Sequence, residues 1–135
     1  MSALSGSCLC GAVRYRVDGP LRDVIACHCQ QCRKTSGHHV AATSALRTDI
    51  TVEGQITWYR SSADAKRGFC GVCGSNLFWH HAESERLSIF AGTFDDDPGV
   101  RLAGHIFTAD KGAYYQIADD LPSAPGADPA LTTQR

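Results

Sequence analysis

Seven cysteines stand in three tight groups along this 135-residue chain, and their spacing constrains the fold more than any other feature. The first group is Cys8-Leu-Cys10, the second is Cys27-His-Cys-Gln-Gln-Cys32, and the third is Cys70-Gly-Val-Cys73. Thiols spaced this closely can converge on one soft cation such as Zn²⁺. The two pairs together offer four ligands, which suit a closed structural site. The middle group offers three ligands and leaves a fourth position open.

A disulfide framework is the alternative interpretation of these cysteines. An odd number of thiols would leave one unpaired. The first residues lack a basic segment followed by an apolar one, so we expect a cytoplasmic protein rather than a secreted one. Thiols stay reduced in that compartment, and clustered reduced cysteines favour metal binding. An iron–sulfur cluster on the middle group would need a fourth thiolate that the local spacing does not provide.

Local geometry suggests how each pair could bind a metal, but it leaves the partner of each pair open. Alternate residues of a strand face the same side, so Cys8 and Cys10 are expected on a strand with both sulfurs directed at one centre. The glycines of Cys70-Gly-Val-Cys-Gly74 permit the tight turn of a zinc knuckle. The spacing alone does not exclude that Cys8 and Cys10 share a metal with members of the middle group instead.

The fourth position of the middle group has several candidate ligands among the histidines. His28 stands between two cysteines, and an extended backbone would direct it away from them. His38 and His39 begin a predicted strand, where successive side chains face opposite sides, so at most one of them could face the metal. The ordinary interpretation of each, and of His105, is a polar neighbour. His28, His38 and His105 are also the candidates for a general base.

Periodicity and composition predict one mainly β domain, a small β-sheet domain stapled by zinc. Val13, Tyr15 and Val17 alternate with arginines, as in a half-buried strand. A short helix is expected from Gln30 to Thr35, ending before Gly37. With 43% hydrophobic residues, the chain can form a real core. A small sandwich or folded sheet is favoured by further short strands, at Val24–Ala26, Val40–Thr43, Ile50–Val52, Ile56–Tyr59, Asn76–Trp79, Leu87–Ala91, His105–Thr108 and Tyr114–Ile117.

Residues 1–121 are expected to form the folded domain, and residues 122–135 a flexible tail. Three of the five prolines fall in this last stretch, and Leu131 is its only large apolar residue. Such a segment buries too little apolar surface to offset the entropy of ordering. The net charge of −1 disfavours a nucleic-acid binder. No apolar run approaches the ~20 residues of a membrane span.

The assembled motifs resemble the family of glutathione-dependent formaldehyde-activating enzymes, which includes centromere protein V. The resemblance covers roughly residues 5–120 and implies a mainly β, Mss4-like fold. It implies a structural zinc held by Cys8, Cys10, Cys70 and Cys73. It also implies a catalytic zinc held by Cys27, Cys29 and Cys32. Because the fourth ligand of this second site can exchange, we expect that the site can be partly empty. The matching segments are Ser7–Tyr15, Cys27–Lys34 with Ser36-Gly37, Arg67–Leu77, Ala91–Asp95 and His105–Phe107.

The activity that the resemblance implies is that of a carbon–sulfur lyase, which joins glutathione and formaldehyde as S-hydroxymethylglutathione. A small-molecule thiol or thiol–aldehyde adduct is the expected partner, with neither nucleic acid nor a membrane. A three-thiolate zinc is a poor Lewis acid toward water, so it favours a thiol as fourth ligand over hydrolysis. The alternative is a non-enzymatic zinc module that binds a protein partner. Cations that could meet the substrate carboxylates, each otherwise an ordinary surface charge, are Arg33, Lys34, Lys66, Arg67 and Lys111.

Overall fold

Ten strands and two short helices make up residues 3–133, the part of the chain that this computed structural model describes. Neither of these helices has the length and apolar character needed to cross a membrane. The helices are α1 (Gln30–Ser36) and α2 (Pro129–Thr132), with 3₁₀ turns at Arg47–Asp49, Ala91–Thr93 and Thr108–Asp110. The strands are β1 (Leu4–Ser7), β2 (Arg14–Val17), β3 (Val24–Cys27), β4 (Val40–Leu46), β5 (Ile50–Glu53), β6 (Ile56–Arg60), β7 (Ala65–Cys70), β8 (Asn76–His81), β9 (Arg86–Phe90) and β10 (Leu102–Ile106).

The strands form two sheets, which confirms the predicted mainly β fold class. The smaller sheet has three antiparallel strands in the order β1-β2-β5. The larger sheet has seven strands in the order β10-β3-β4-β9-β8-β7-β6. Strand β10 runs parallel to β3, whereas the other neighbours in this sheet are antiparallel. The sheet therefore brings segments that are distant in sequence side by side.

The hydrophobic core lies between the small sheet and one face of the large sheet. Tyr15 and Val17 of β2 are buried while Arg14 and Arg16 are exposed, as the alternation predicts. The ring of Tyr15 meets the ring of Phe78 edge-on, with centroids 5.4 Å apart. Packing between the sheets leaves the opposite face of the large sheet available for a site. The other apolar members of the core include Val13, Leu21, Ala45, Leu77, Leu87 and Ile89.

Some local elements differ from the sequence-based prediction. The helix α1 forms as expected and is followed by Gly37 with a φ of +83°. Strand β7 has no apolar alternation, and it is held by pairing with β6 on one side and β8 on the other. The predicted strand at Tyr114–Ile117 does not form. Instead, the hydroxyl of Tyr114 lies 2.6 Å from His38 Nδ1.

Residues 122–133 of the predicted tail make backbone contacts with the sheet in the structure, while residues 134 and 135 lie outside the described part of the chain. The backbone N–H of His105 donates to the carbonyl of Pro122, and that of Ala124 donates to the carbonyl of His105. These bonds extend the open edge of β10, so the segment belongs to the domain. Leu131 of α2 is buried and fills the space above Gly104. Backbone pairing with a sheet edge does not depend on apolar content, so a segment of this composition can still make these bonds.

Candidate metal centres and the adjoining cavity

Four cysteine sulfurs from distant segments meet beside the core. Cys8 and Cys10 lie in the turn after β1, and Cys70 and Cys73 flank the turn between β7 and β8. The Cys8 and Cys10 sulfurs are 3.7 Å apart, and those of Cys10 and Cys70 are 3.8 Å apart. All four sulfurs lie within 4.8 Å of one another. The pairing that the spacing left open is therefore between the first and third groups, which together could hold one metal ion.

The two pairs are presented by turns in which backbone N–H groups point at sulfur. The N–H of Val13 donates to Cys8 Sγ over 3.3 Å, and the N–H of Val72 donates to Cys70 Sγ over 3.4 Å. The expectation that Cys8 and Cys10 sit on a strand is wrong. A turn directs both sulfurs inward, and it needs Gly11 at a φ of +82°. Hydrogen bonding by Ser75 lowers the pKa of Cys73 to about 5, which favours the thiolate form.

The middle group forms a second cluster, at the junction of β3 and α1. Cys27 ends β3, Cys29 is the N-cap of α1, and Cys32 lies in its first turn. Their three sulfurs also lie within 4.8 Å of one another and could hold a metal ion. Hydrogen bonds from the neighbouring thiols, and then from backbone N–H groups, hold the pKa of Cys29 far below its usual range. The cluster therefore contains a preferred thiolate even before a metal is considered.

The histidines near this cluster do not join it. Within residues 3–133, neither group of clustered metal-ligating side chains includes a histidine. His28 points away from the neighbouring sulfurs, as an extended backbone predicts, and its Nε2 lies 2.9 Å from His105 Nδ1. Its Nδ1 lies within hydrogen-bonding distance of the Tyr115 hydroxyl. Burial lowers the pKa of His28 to about 4, so the ring is neutral at neutral pH.

The second face of the seven-stranded sheet is the floor of a cavity of about 750 Å³. All three cysteines of the middle group line this cavity, so their sulfurs open onto it. Side chains of the C-terminal segment, including Thr132 and Thr133, form part of its rim. The floor side chains stand in rows set by the strand register. The rows are Ser44, Ser88, Trp79 and Arg67, then Ile25, Ala42 and Phe90, and then Ile106, Cys27 and Val40.

Arginines give the cavity a positive character. Arg22, Arg67 and Arg86 line it, and Asp110 is the one carboxylate among the described lining residues. Arg22 is 6% exposed and donates to three backbone carbonyls, those of Asp23, Ala42 and Thr132. Burial, and then the charge of Arg86, lowers the pKa of Arg22 to about 10. The described ion pair Arg16–Asp18 and the hydrogen bond from His105 to Asp119 involve neither Arg22 nor Arg67.

Of the cations that the sequence suggested, only Arg67 reaches this cavity. Lys66 stacks over the ring of Trp58, and Lys111 donates to the carbonyl of Tyr115. Arg33 and Lys34 lie in the last turn of α1, where Arg33 donates to the carbonyl of Asp110. Arg22 and Arg86 were not among the sequence candidates. No local motif marks them, because Arg86 is placed at the cavity by its register on β9, and Arg22, which precedes β3, is held there by bonds to carbonyls of Ala42 and Thr132.

Comparison with protein families gives one match over most of the chain. Residues 3–110 match the family described as glutathione-dependent formaldehyde-activating enzyme. The matched range contains all seven cysteines, together with Arg22, Arg67 and Arg86. It ends before the segment 122–133 that contributes to the cavity rim.

Individual relatives agree with this match. A putative glutathione-dependent formaldehyde-activating enzyme of Halomonas elongata is 33% identical over 128 residues, which cover 84% of this chain and 80% of the relative. An uncharacterized lyase of Schizosaccharomyces pombe is 25% identical over 121 residues, or 88% of each chain. A crystal structure of a Rhodobacter sphaeroides protein superposes with a TM-score of 0.57 and 26% identity, covering 73% of this chain and 99% of that one.

Proposed function

Because this chain belongs to the glutathione-dependent formaldehyde-activating enzyme family, we propose that it is a zinc-dependent carbon–sulfur lyase acting on thiol adducts of small aldehydes. Adducts of the S-hydroxymethylglutathione type are the substrates. The observation that carries this proposal is the three-thiol group opening onto a positively charged cavity. The names of the relatives support the coarser role of a formaldehyde-activating lyase.

Zinc suits the donor atoms that the chain provides. A tetrahedral zinc with bonds of about 2.3 Å would separate two sulfurs by about 3.8 Å. The measured separations of 3.7 Å for Cys8–Cys10 and 3.8 Å for Cys10–Cys70 agree with this value. A disulfide would need sulfurs about 2.05 Å apart. We assign Cys8, Cys10, Cys70 and Cys73 to a structural zinc, and Cys27, Cys29 and Cys32 to the catalytic one.

The open three-thiolate position determines the chemistry that we propose. A bound zinc supplies thiolate character to a substrate sulfur at neutral pH. A substrate sulfur bound there would lie at the edge of the cavity, because Cys27, Cys29 and Cys32 all line it. Holding thiol and aldehyde together in one site replaces a bimolecular encounter with an intramolecular one, which is the main source of rate enhancement that we assign.

The far side of the cavity is suited to the anionic body of the thiol. Arg22 has five N–H donors, and the three described bonds to carbonyls leave two of them for a ligand. The three cysteines and Arg22 line the same cavity. A thiol ligand bound at the cysteines could therefore extend along the cavity and place a carboxylate on Arg22.

The runner-up function is a zinc module that binds a protein partner and has no catalytic role. A closed pair of zinc knuckles would be enough for such a module. The cavity beside the three-thiol group favours a small-molecule site instead, because it is concave and carries buried cations on its lining. The two functions predict opposite results when glutathione and formaldehyde are added.

The decisive experiment is an exchange measurement by NMR on the zinc-loaded protein. We expect micromolar protein to speed the exchange between free formaldehyde and S-hydroxymethylglutathione above its spontaneous rate. Cys29→Ser should lose this acceleration. Lys34→Ala, on the exposed side of α1, should retain it. An exchange rate that stays at the spontaneous value for the wild type would favour the protein-binding module.

A further inference from the structure

Arg67 occupies an unusual position for a buried cation. It lies on β7 opposite Trp79 of β8, in a row that forms the cavity floor. Arg67 as a whole is 6% exposed. Its Nη2 lies 3.4 Å from Gln31 Oε1 and 3.7 Å from Cys32 Sγ. The guanidinium is therefore held directly against one sulfur of the three-thiol group.

Most of the donors of Arg67 have no acceptor. A guanidinium carries five N–H donors. Both described contacts use Nη2, and Nε is buried with no partner. Nη1 also has no acceptor among residues 3–133, and no carboxylate among them forms a salt bridge with Arg67. Buried charges are normally paired and hydrogen-bonded, so this arrangement is costly unless a ligand completes it.

Arg22 has fewer unused donors than Arg67. Its Nε, Nη1 and Nη2 each donate to a backbone carbonyl, so it is anchored to Asp23, Thr132 and Ala42. Arg67 instead combines unused donors with direct contact to Cys32. Any ligand oxygen that it binds from the cavity therefore lies close to the three-thiol group, where we propose that the substrate sulfur binds.

We propose that Arg67 is a catalytic residue that donates hydrogen bonds to the aldehyde oxygen as that oxygen becomes negatively charged. This inference rests on the proposed lyase function. In adduct formation, a sulfur lone pair forms the carbon–sulfur bond and the carbonyl π pair moves to oxygen. The oxygen then takes up, through solvent, the proton that the thiol released. In the reverse direction the oxygen loses that proton, the carbonyl re-forms, and the carbon–sulfur pair returns to sulfur.

The guanidinium serves as a donor and not as the acid in this step, because arginine keeps its proton in proteins. Its stabilisation is largest when the oxygen carries full charge, so it lowers the barrier more than it strengthens ground-state binding. Removal of one such donor typically reduces kcat by about 10²–10³-fold. A residue that bound a substrate carboxylate would instead affect thiol affinity.

The test compares Arg67→Gln and Arg67→Lys with the control Lys66→Gln. Lys66 is the neighbouring residue on β7, and its ammonium group lies over the ring of Trp58. NMR exchange gives kcat and KM, calorimetry gives the Kd of glutathione, and elemental analysis gives zinc content. We expect Arg67→Gln to keep its zinc, to change the glutathione Kd by less than about 3-fold, and to lose about 100-fold in kcat. Arg67→Lys should recover part of this loss, and Lys66→Gln should match the wild type.

Three results would overturn the role of Arg67 while leaving the lyase function intact. They are an unchanged kcat in Arg67→Gln, a loss confined to thiol affinity, and a loss explained by missing zinc. If Arg67→Gln does not fold, Arg67→Lys decides the question, because a kcat equal to that of the wild type contradicts the role. Failure of the proposed function looks different, since the wild type itself would then show no acceleration.

Discussion

His28 Nε2 lies 2.9 Å from His105 Nδ1, although the two residues are 77 positions apart in the sequence. His105 Nε2 in turn lies 2.9 Å from a carboxylate oxygen of Asp119. A carboxylate accepts, so His105 donates from Nε2 and its Nδ1 accepts from His28. The Tyr115 hydroxyl then donates to the remaining nitrogen of His28. This series of hydrogen bonds gives every ring nitrogen of His28 and His105 a partner. It therefore holds His28, which stands between Cys27 and Cys29, in place.

Tyr115→Phe tests whether this series of hydrogen bonds supports the loop that carries Cys27 and Cys29. The substitution leaves a buried nitrogen of His28 without a donor, so the loop that carries Cys27 and Cys29 should loosen. Loss of a supporting hydrogen bond behind a metal site typically costs 10–100-fold in affinity. We expect about 10-fold weaker zinc binding at the three-thiol group, measured by chelator competition. The four-thiol group should be unchanged. Tyr114→Phe is the control, because its hydroxyl contacts the exposed His38.

The two thiol groups should respond differently to loss of a cysteine. Cys8 and Cys70 are buried in the core and join the β1–β2 turn to the β7–β8 turn. Structural zinc contributes about 10–16 kcal/mol in small peptides, whereas whole domains are stable by about 5–15 kcal/mol. Cys70→Ser should therefore give unfolded protein. Cys29→Ser should give a folded domain with one zinc fewer, as read by circular dichroism and elemental analysis.

The wild type purified without chelator should carry between one and two zinc ions per chain. The four-thiol group should be full, and the three-thiol group partly occupied because its fourth ligand exchanges. Iron–sulfur absorption would contradict these assignments. So would a Cys29→Ser variant that unfolds while Cys70→Ser remains folded.

The C-terminal segment should stabilise the domain. Leu131 is 7% exposed and packs on Gly104 of β10. Replacing a buried leucine by alanine costs about 2–5 kcal/mol, so Leu131→Ala should lower the free energy of unfolding by at least about 2 kcal/mol in urea titrations. Thr133→Ala, at an exposed position, should change it by less than about 0.5 kcal/mol. Equal stability of the two variants would mean that the segment does not pack in solution.

Arg22 should contribute to thiol selectivity. Hydrogen bonds to charged groups contribute about 1.5–3 kcal/mol, so Arg22→Gln should weaken binding of S-methylglutathione by about 10-fold or more. This analogue keeps both carboxylates and has no free thiol. Binding of 2-mercaptoethanol, which has no carboxylate, should not change. Leu131→Ala is the control here, because it perturbs the segment that contacts Arg22 without removing the cation. Equal losses for both ligands in Arg22→Gln would contradict carboxylate recognition.

Much of the local structure could be read from the sequence because it depends on short-range rules. The alternation of Val13, Tyr15 and Val17 predicted the buried face of β2, and Gly37 marked the end of α1. The three cysteine groups predicted which side chains would cluster, since two cysteines in the same turn lie near each other whatever the tertiary fold. The same motifs also identified the family, because the matching residues lie in short contiguous segments. Cys8 and Cys10 were correctly grouped, although the turn that presents them was mistaken for a strand.

Tertiary structure alone decided which groups meet and what surrounds them. The packing of the small sheet against the large one brings Cys10 to Cys70, and the pairing of β3 with β10 brings His28 to His105, across 60 and 77 residues respectively. The cavity floor combines side chains from six strands, so no local pattern could assign Arg22 or Arg86 to the cavity lining. The C-terminal segment is ordered by the open edge of β10, a partner that its own composition does not reveal. Spacing reports contacts within a turn, whereas contacts between strands depend on how the whole chain packs.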